Sequence, residues 1–101
     1  LIAIYPNPCV IRKIINISIR HSAEKIGFEY ITVKVFDISG RLIRDLSDRL
    51  GAGSASSSTV ISWDACDDRG QKVPAGVYLV RLLDKDPNGA REEIKKLVVM
   101  D

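Results

Sequence analysis

The stretch Trp63-Asp64-Ala65-Cys66-Asp67-Asp68-Arg69-Gly70-Gln71-Lys72-Val73-Pro74-Ala75-Gly76-Val77-Tyr78 decides how the rest of the chain is read. It starts at the end of one extended run, Thr59 to Trp63. It ends inside another, Val77 to Asp84, in which Tyr78, Val80 and Leu82 share one side. Between them Asp64, Gly70, Pro74 and Gly76 supply turn chemistry. Aspartate bonds nearby backbone amides, glycine reaches conformations closed to other residues, and proline presets φ. Trp63 and Tyr78 anchor the two strands, and an inward Trp needs only one partner for its N–H. The block reads as a structural clasp, with nothing reactive in it.

Strand signals continue on both sides, and no stretch holds an apolar period near that of a helix. Leu1 to Tyr5 is a short apolar lead-in stopped by Pro6-Asn7-Pro8. Two prolines remove two backbone donors, so this segment must leave or border a sheet. Ile15, Ile17 and Ile19 alternate with Asn16, Ser18 and Arg20, which gives one face to a core and one to water. Ile31, Val33 and Val35 repeat the pattern, and Asp37-Ile38-Ser39-Gly40 turns the chain into Arg41 to Leu46 as a hairpin. Asp86-Pro87-Asn88-Gly89 is a second reversal, and Ile94 to Met100 is the closing strand with Leu97 and Val99 on one face. His21 to Gly27 is a polar connection, and Gly51 to Ser58 is a Gly/Ser-rich loop. That loop is no domain boundary, because the segments on either side hold too few strands to close separately. Together they supply the ~7 of an immunoglobulin-like sandwich. No internal repeat is evident. The expectation is an all-β, antiparallel sandwich occupying residues 1–101 as one domain, the C-terminal piece of a larger protein.

Composition agrees and excludes several function classes. At 101 residues, 46% hydrophobic and 28% charged, the chain can bury a single core. Its net charge of +2 comes from 15 basic and 13 acidic residues interleaved along the sequence, which leaves no electrostatic footprint for nucleic acid. Arg12-Lys13 and Lys95-Lys96 are isolated pairs on solvated strands. No apolar run approaches the ~20 residues of a membrane-spanning helix.

Nor does any catalytic constellation emerge. A serine or cysteine triad needs a positioned base, and His21, the sole histidine, stands in a loop with no acid closer than Glu24. Asp64, Asp67 and Asp68 bring three carboxylates together, but their spacing is not that of a calcium loop and turn formation explains them. No metal or other cofactor is expected. The two cysteines, Cys9 and Cys66, form no C-x-x-C motif. A disulfide between them is allowed in an oxidising compartment; the alternative is two unlinked thiols, with Cys9 a small core residue. With 6% aromatics there is no exposed aromatic row for carbohydrate.

The clasp resembles the W-D-G-x-D-x-x-G-x-x-V-P-A-G-x-Y signature of the FlgD-like immunoglobulin-fold domains, named for the flagellar hook-capping protein. Tyr5-Pro6-Asn7-Pro8 is similar to the Y-P-N-P segment of that group. Val35-Phe36-Asp37-Ile38-Ser39-Gly40-Arg41-Leu42-Ile43-Arg44 is similar to its V-x-I-Y-D-x-x-G-R-x-V-R segment. The order is preserved across nearly the whole chain. Domains of this kind resemble the C-terminal sorting domains read by the type IX secretion system. Gly76, Tyr78 and Gly89, followed by Lys95-Lys96-Leu97-Val98-Val99, look like the end of one.

That resemblance implies a non-catalytic module of a secreted or cell-surface bacterial protein, exported through the periplasm, whose final strand is the part read. Its partners are then the secretion translocon or a neighbouring domain of the parent. The other class left open is an assembly or accessory domain, hook-cap-like or packed on a catalytic neighbour.

Overall fold

The alternating runs fold as their period requires. A computed structural model describes residues 2–10, 14–20, 31–47, 58–86 and 89–100. Its strands are β1 (Ile2–Tyr5), β2 (Cys9–Val10), β3 (Ile15–Arg20), β4 (Ile31–Asp37), β5 (Leu42–Asp45), β6 (Ser58–Trp63), β7 (Gly76–Asp86) and β8 (Gly89–Met100). They form a three-stranded sheet in the order β1-β3-β6 and a five-stranded sheet in the order β2-β8-β7-β4-β5. Every pairing is antiparallel except β2 with β8.

The inner faces meet where the period-two pattern aims them. Ile15, Ile17, Ile19, Ile61 and Trp63 come from the small sheet, and Val33, Val35, Val80, Leu97 and Val99 from the large one; all are fully or almost fully buried. Cys9 lies in this core as well.

The prolines act as the sequence demands. Between β1 and β2 the chain leaves the three-stranded sheet and joins the five-stranded one, and Pro6-Asn7-Pro8 makes the crossing. Both X-Pro bonds there are cis.

Two departures from the sequence expectation are larger than a residue or two at a strand end. β2 is an additional strand of two residues, too short for any period to announce. β8 begins at Gly89 rather than Ile94, with pairing unbroken from Gly76↔Val99 to Asp86↔Gly89. The run Arg91-Glu92-Glu93 has no apolar alternation, so its extension comes from the ladder that β7 offers. The Arg81 guanidinium reaches diagonally across to Glu92 at 2.6 Å. His21 to Gly27, Gly51 to Ser57 and the Pro87-Asn88 pair lie outside the described residues.

Candidate functional site

Two regions carry the motifs, and the structure gives them different work. In the clasp, Trp63 ends β6 opposite Ile15, fully buried, and its indole N–H donates to the Cys66 carbonyl at 2.9 Å. The Tyr78 hydroxyl donates to the Pro74 carbonyl, which fixes the return into β7. Ala65 takes a positive φ of 60° at the position where the signature has glycine. Its carbonyl accepts the Val73 N–H at 2.8 Å.

The three carboxylates do not converge on an ion site. Asp64 Oδ1 accepts the Cys66 N–H, and Asp67 Oδ1 accepts the N–H groups of Arg69 and Gln71. Asp68 faces Arg44 at 3.9 Å, and its own N–H donates to the Ile43 carbonyl, docking the loop on β5. Among the described residues no group of three potential ligands is placed to hold a metal.

The turn Asp37-Ile38-Ser39-Gly40-Arg41 has the same wiring as Asp67-Asp68-Arg69-Gly70-Gln71. In each, the aspartate carboxylate accepts the N–H groups two and four residues on. In each, the aspartate carbonyl accepts from a glycine at positive φ, and the aspartate N–H donates to the fifth residue's carbonyl. The same five-residue turn is therefore built twice. Sequence inspection passes over it because only Asp and Gly recur.

These bonds hold several carboxyls in their ionised form. Asp37 is held below the ordinary carboxyl range by the Ser39 hydroxyl and the Arg41 N–H. At Asp45 and Asp64 burial pushes upward, but bonds from Ser47 and Cys66 outweigh it and the carboxyls sit low. A carboxyl lowered on folding stabilises above its unfolded pKa of ~3.9 and loses that contribution as pH falls through the folded value. Tm should therefore be level near neutrality and fall below about pH 4. A Tm unchanged from neutral to strongly acidic pH would refute this.

The disulfide left open by the sequence is not formed. Both cysteines are free thiols. Cys9 is in β2, at one edge of the five-stranded sheet, while Cys66 is in the loop docked on β5, at the opposite edge. A bridge needs Cα atoms within ~7 Å, and three strands intervene. Burial pushes both thiols above their ordinary pKa, and the Asp64 carboxylate adds to this at Cys66.

The second region is the end of β8. Leu97 and Val99 face the core, while Lys95, Lys96 and Met100 are exposed. Lys95 shares the inward parity of Leu97, yet its side chain is half exposed and lies 3.8 Å from Glu93. The outer edge of this segment is closed by a residue whose role the sequence did not disclose. The Asn7 side chain donates Nδ2–H to the Lys96 carbonyl at 2.8 Å, and its Oδ1 accepts the Val98 N–H at 3.1 Å. The available signal was an Asn between two prolines, where backbone donors are scarce.

Residues 3–100 match the family described as the secretion system C-terminal sorting domain. The chain belongs to this family.

The sorting domain is also similar to solved structures. Dimeric latent PorU from Porphyromonas gingivalis is 25% identical with a TM-score of 0.70, over 98% of this chain and 9% of that one. PorZ, an essential bacterial surface component of the type IX secretion system of the same organism, is 23% identical with a TM-score of 0.62, over 99% and 11%. FlgD from P. aeruginosa is 16% identical with a TM-score of 0.61, over 87% and 61%. The last two likenesses establish the FlgD-like fold. The sorting domain thus spans about a tenth of the length of the PorU and PorZ chains. No curated protein matches the chain. Sorting domains of this family belong to secreted or cell-surface bacterial proteins, and no helix among the described residues is long and apolar enough to cross a membrane.

Proposed function

We propose that this domain is the non-catalytic C-terminal module of a larger secreted protein. It addresses that protein to the type IX translocon for export and surface attachment, and Lys95, Lys96, Leu97, Val98 and Val99 are the segment read. The observation that carries the reading is the family match over residues 3–100. The sandwich supports it by holding that segment in β8, the final strand in chain order, with both lysines exposed. The assembly reading rests on likeness to FlgD, which at 16% identity speaks for the fold alone.

Deleting the end of β8 tests folding as much as recognition, because Leu97 and Val99 are core residues. The sharper test neutralises the exposed lysines. A reporter fused to residues 1–101 and expressed in a type IX-secreting bacterium should reach the cell surface. The Lys95→Gln/Lys96→Gln fusion should accumulate in the periplasm, although its stability changes by no more than ~0.5 kcal/mol. Export of the double variant at the parent level would remove the assignment of β8. Retention of the unmodified fusion would remove the sorting role for this domain.

A further inference from the structure

The β2–β8 ladder is short, and its register says what Asn7 is for. Cys9 lies opposite Val99 and Val10 opposite Met100, in parallel. Two residues back along both strands, the place opposite Leu97 belongs to residue 7. In a parallel ladder the residue in that place donates to the carbonyl before its opposite number and accepts from the N–H after it. The Asn7 side-chain amide makes that pair of bonds, to the Lys96 carbonyl and from the Val98 N–H. Its amide copies a peptide group in the register of β2.

The backbone is poorly placed to do this itself. Pro8 has no N–H, and the chain at Pro6-Asn7-Pro8 is leaving for β1 in the other sheet. At neutral pH asparagine alone offers both an N–H donor and a carbonyl acceptor in a planar group on so short a stem. Leucine has the shape without the bonds. Ionised aspartate accepts but cannot donate.

We propose that Asn7 is a positioning residue for secretion. Its side-chain amide acts as a one-residue surrogate strand that clamps β8 at Lys96 and Val98, so that the terminal segment is presented in a single register. The presentation role rests on the sorting function proposed above; the clamp itself does not.

Amide exchange and export separate the two. In the purified 101-residue chain, the Val98 N–H should be protected. In Asn7→Leu it should exchange roughly tenfold faster or more, as expected for loss of two hydrogen bonds, while the amides shared by β4 and β7 keep their protection. Asn7→Asp supplies a readout that packing alone would not move. Its Tm deficit relative to the parent should be present at neutral pH and shrink below about pH 4, where the protonated carboxyl again donates to the Lys96 carbonyl. Unchanged Val98 protection in Asn7→Leu, or an Asn7→Asp deficit equal at both pH values, overturns the clamp. In the fusion assay the folded Asn7→Leu protein should be exported less than the parent. If it loses Val98 protection yet is exported normally, the presentation role falls and the sorting function stands. If the unmodified fusion is not exported, the sorting function falls and the exchange result still decides the clamp.

Discussion

Trp63→Ala is expected to destabilise the domain by about 3–5 kcal/mol, the range for truncating a large buried aromatic. Chains of this size are held by only ~5–15 kcal/mol, so the variant should be partly or wholly unfolded under mild conditions. Three losses combine at this site. The indole is fully buried at the end of β6, where it closes the small sheet against the large one. Its removal opens a cavity between sheets that cannot collapse without moving strands. It also leaves the Cys66 carbonyl without the indole donor. Urea denaturation followed by circular dichroism should show the midpoint displaced, with the slope preserved if unfolding remains two-state. Trp63→Phe should retain much of the packing and lose the hydrogen bond, and so fall between the parent and Trp63→Ala. An alanine variant within about 1 kcal/mol of the parent would mean that the clasp is not what joins the sheets.

Leu97→Ala should cost about 2–5 kcal/mol, because Leu97 is completely buried on β8 opposite Tyr78. Leu97→Met, which conserves volume, should stay below ~1.5 kcal/mol. Chemical denaturation of the two variants measures the difference, and equal stabilities would contradict the core placement of β8. This pair also bears on function. In Leu97→Ala loss of export would follow from unfolding, whereas in the Lys95 and Lys96 variant it would occur in a folded domain. Comparing stability with export therefore separates the strand as a structural member from the strand as a recognised surface.

The legible parts of this fold are those in which each side chain's environment follows from its neighbours. Ile15, Ile17 and Ile19, then Ile31, Val33 and Val35, then Tyr78, Val80 and Leu82, are buried in the alternation their period implies. Asp37 and Gly40 announce a turn, and the structure makes that turn by carboxylate-to-amide bonds within five residues. The first half of β8 was not legible, because Arg91-Glu92-Glu93 is extended by its pairing with β7 and not by any preference of its own. The fate of Cys9 and Cys66 was equally closed to inspection, since a disulfide depends on which sheet edges the two positions reach.

At the candidate site the division is sharper. The sequence by itself determined the strands that alternate, the turns that join them and the core face of each of those strands. Those properties arise from side-chain period and local backbone chemistry. Only the tertiary structure decided that Asn7, 89 residues from Lys96 in the chain, lies against the edge of β8 and completes a ladder that two prolines interrupt. That contact exists because β1 and β2 belong to different sheets and the chain between them must cross at β8. No local preference encodes such a crossing. It is the outcome of two hydrophobic faces closing on each other.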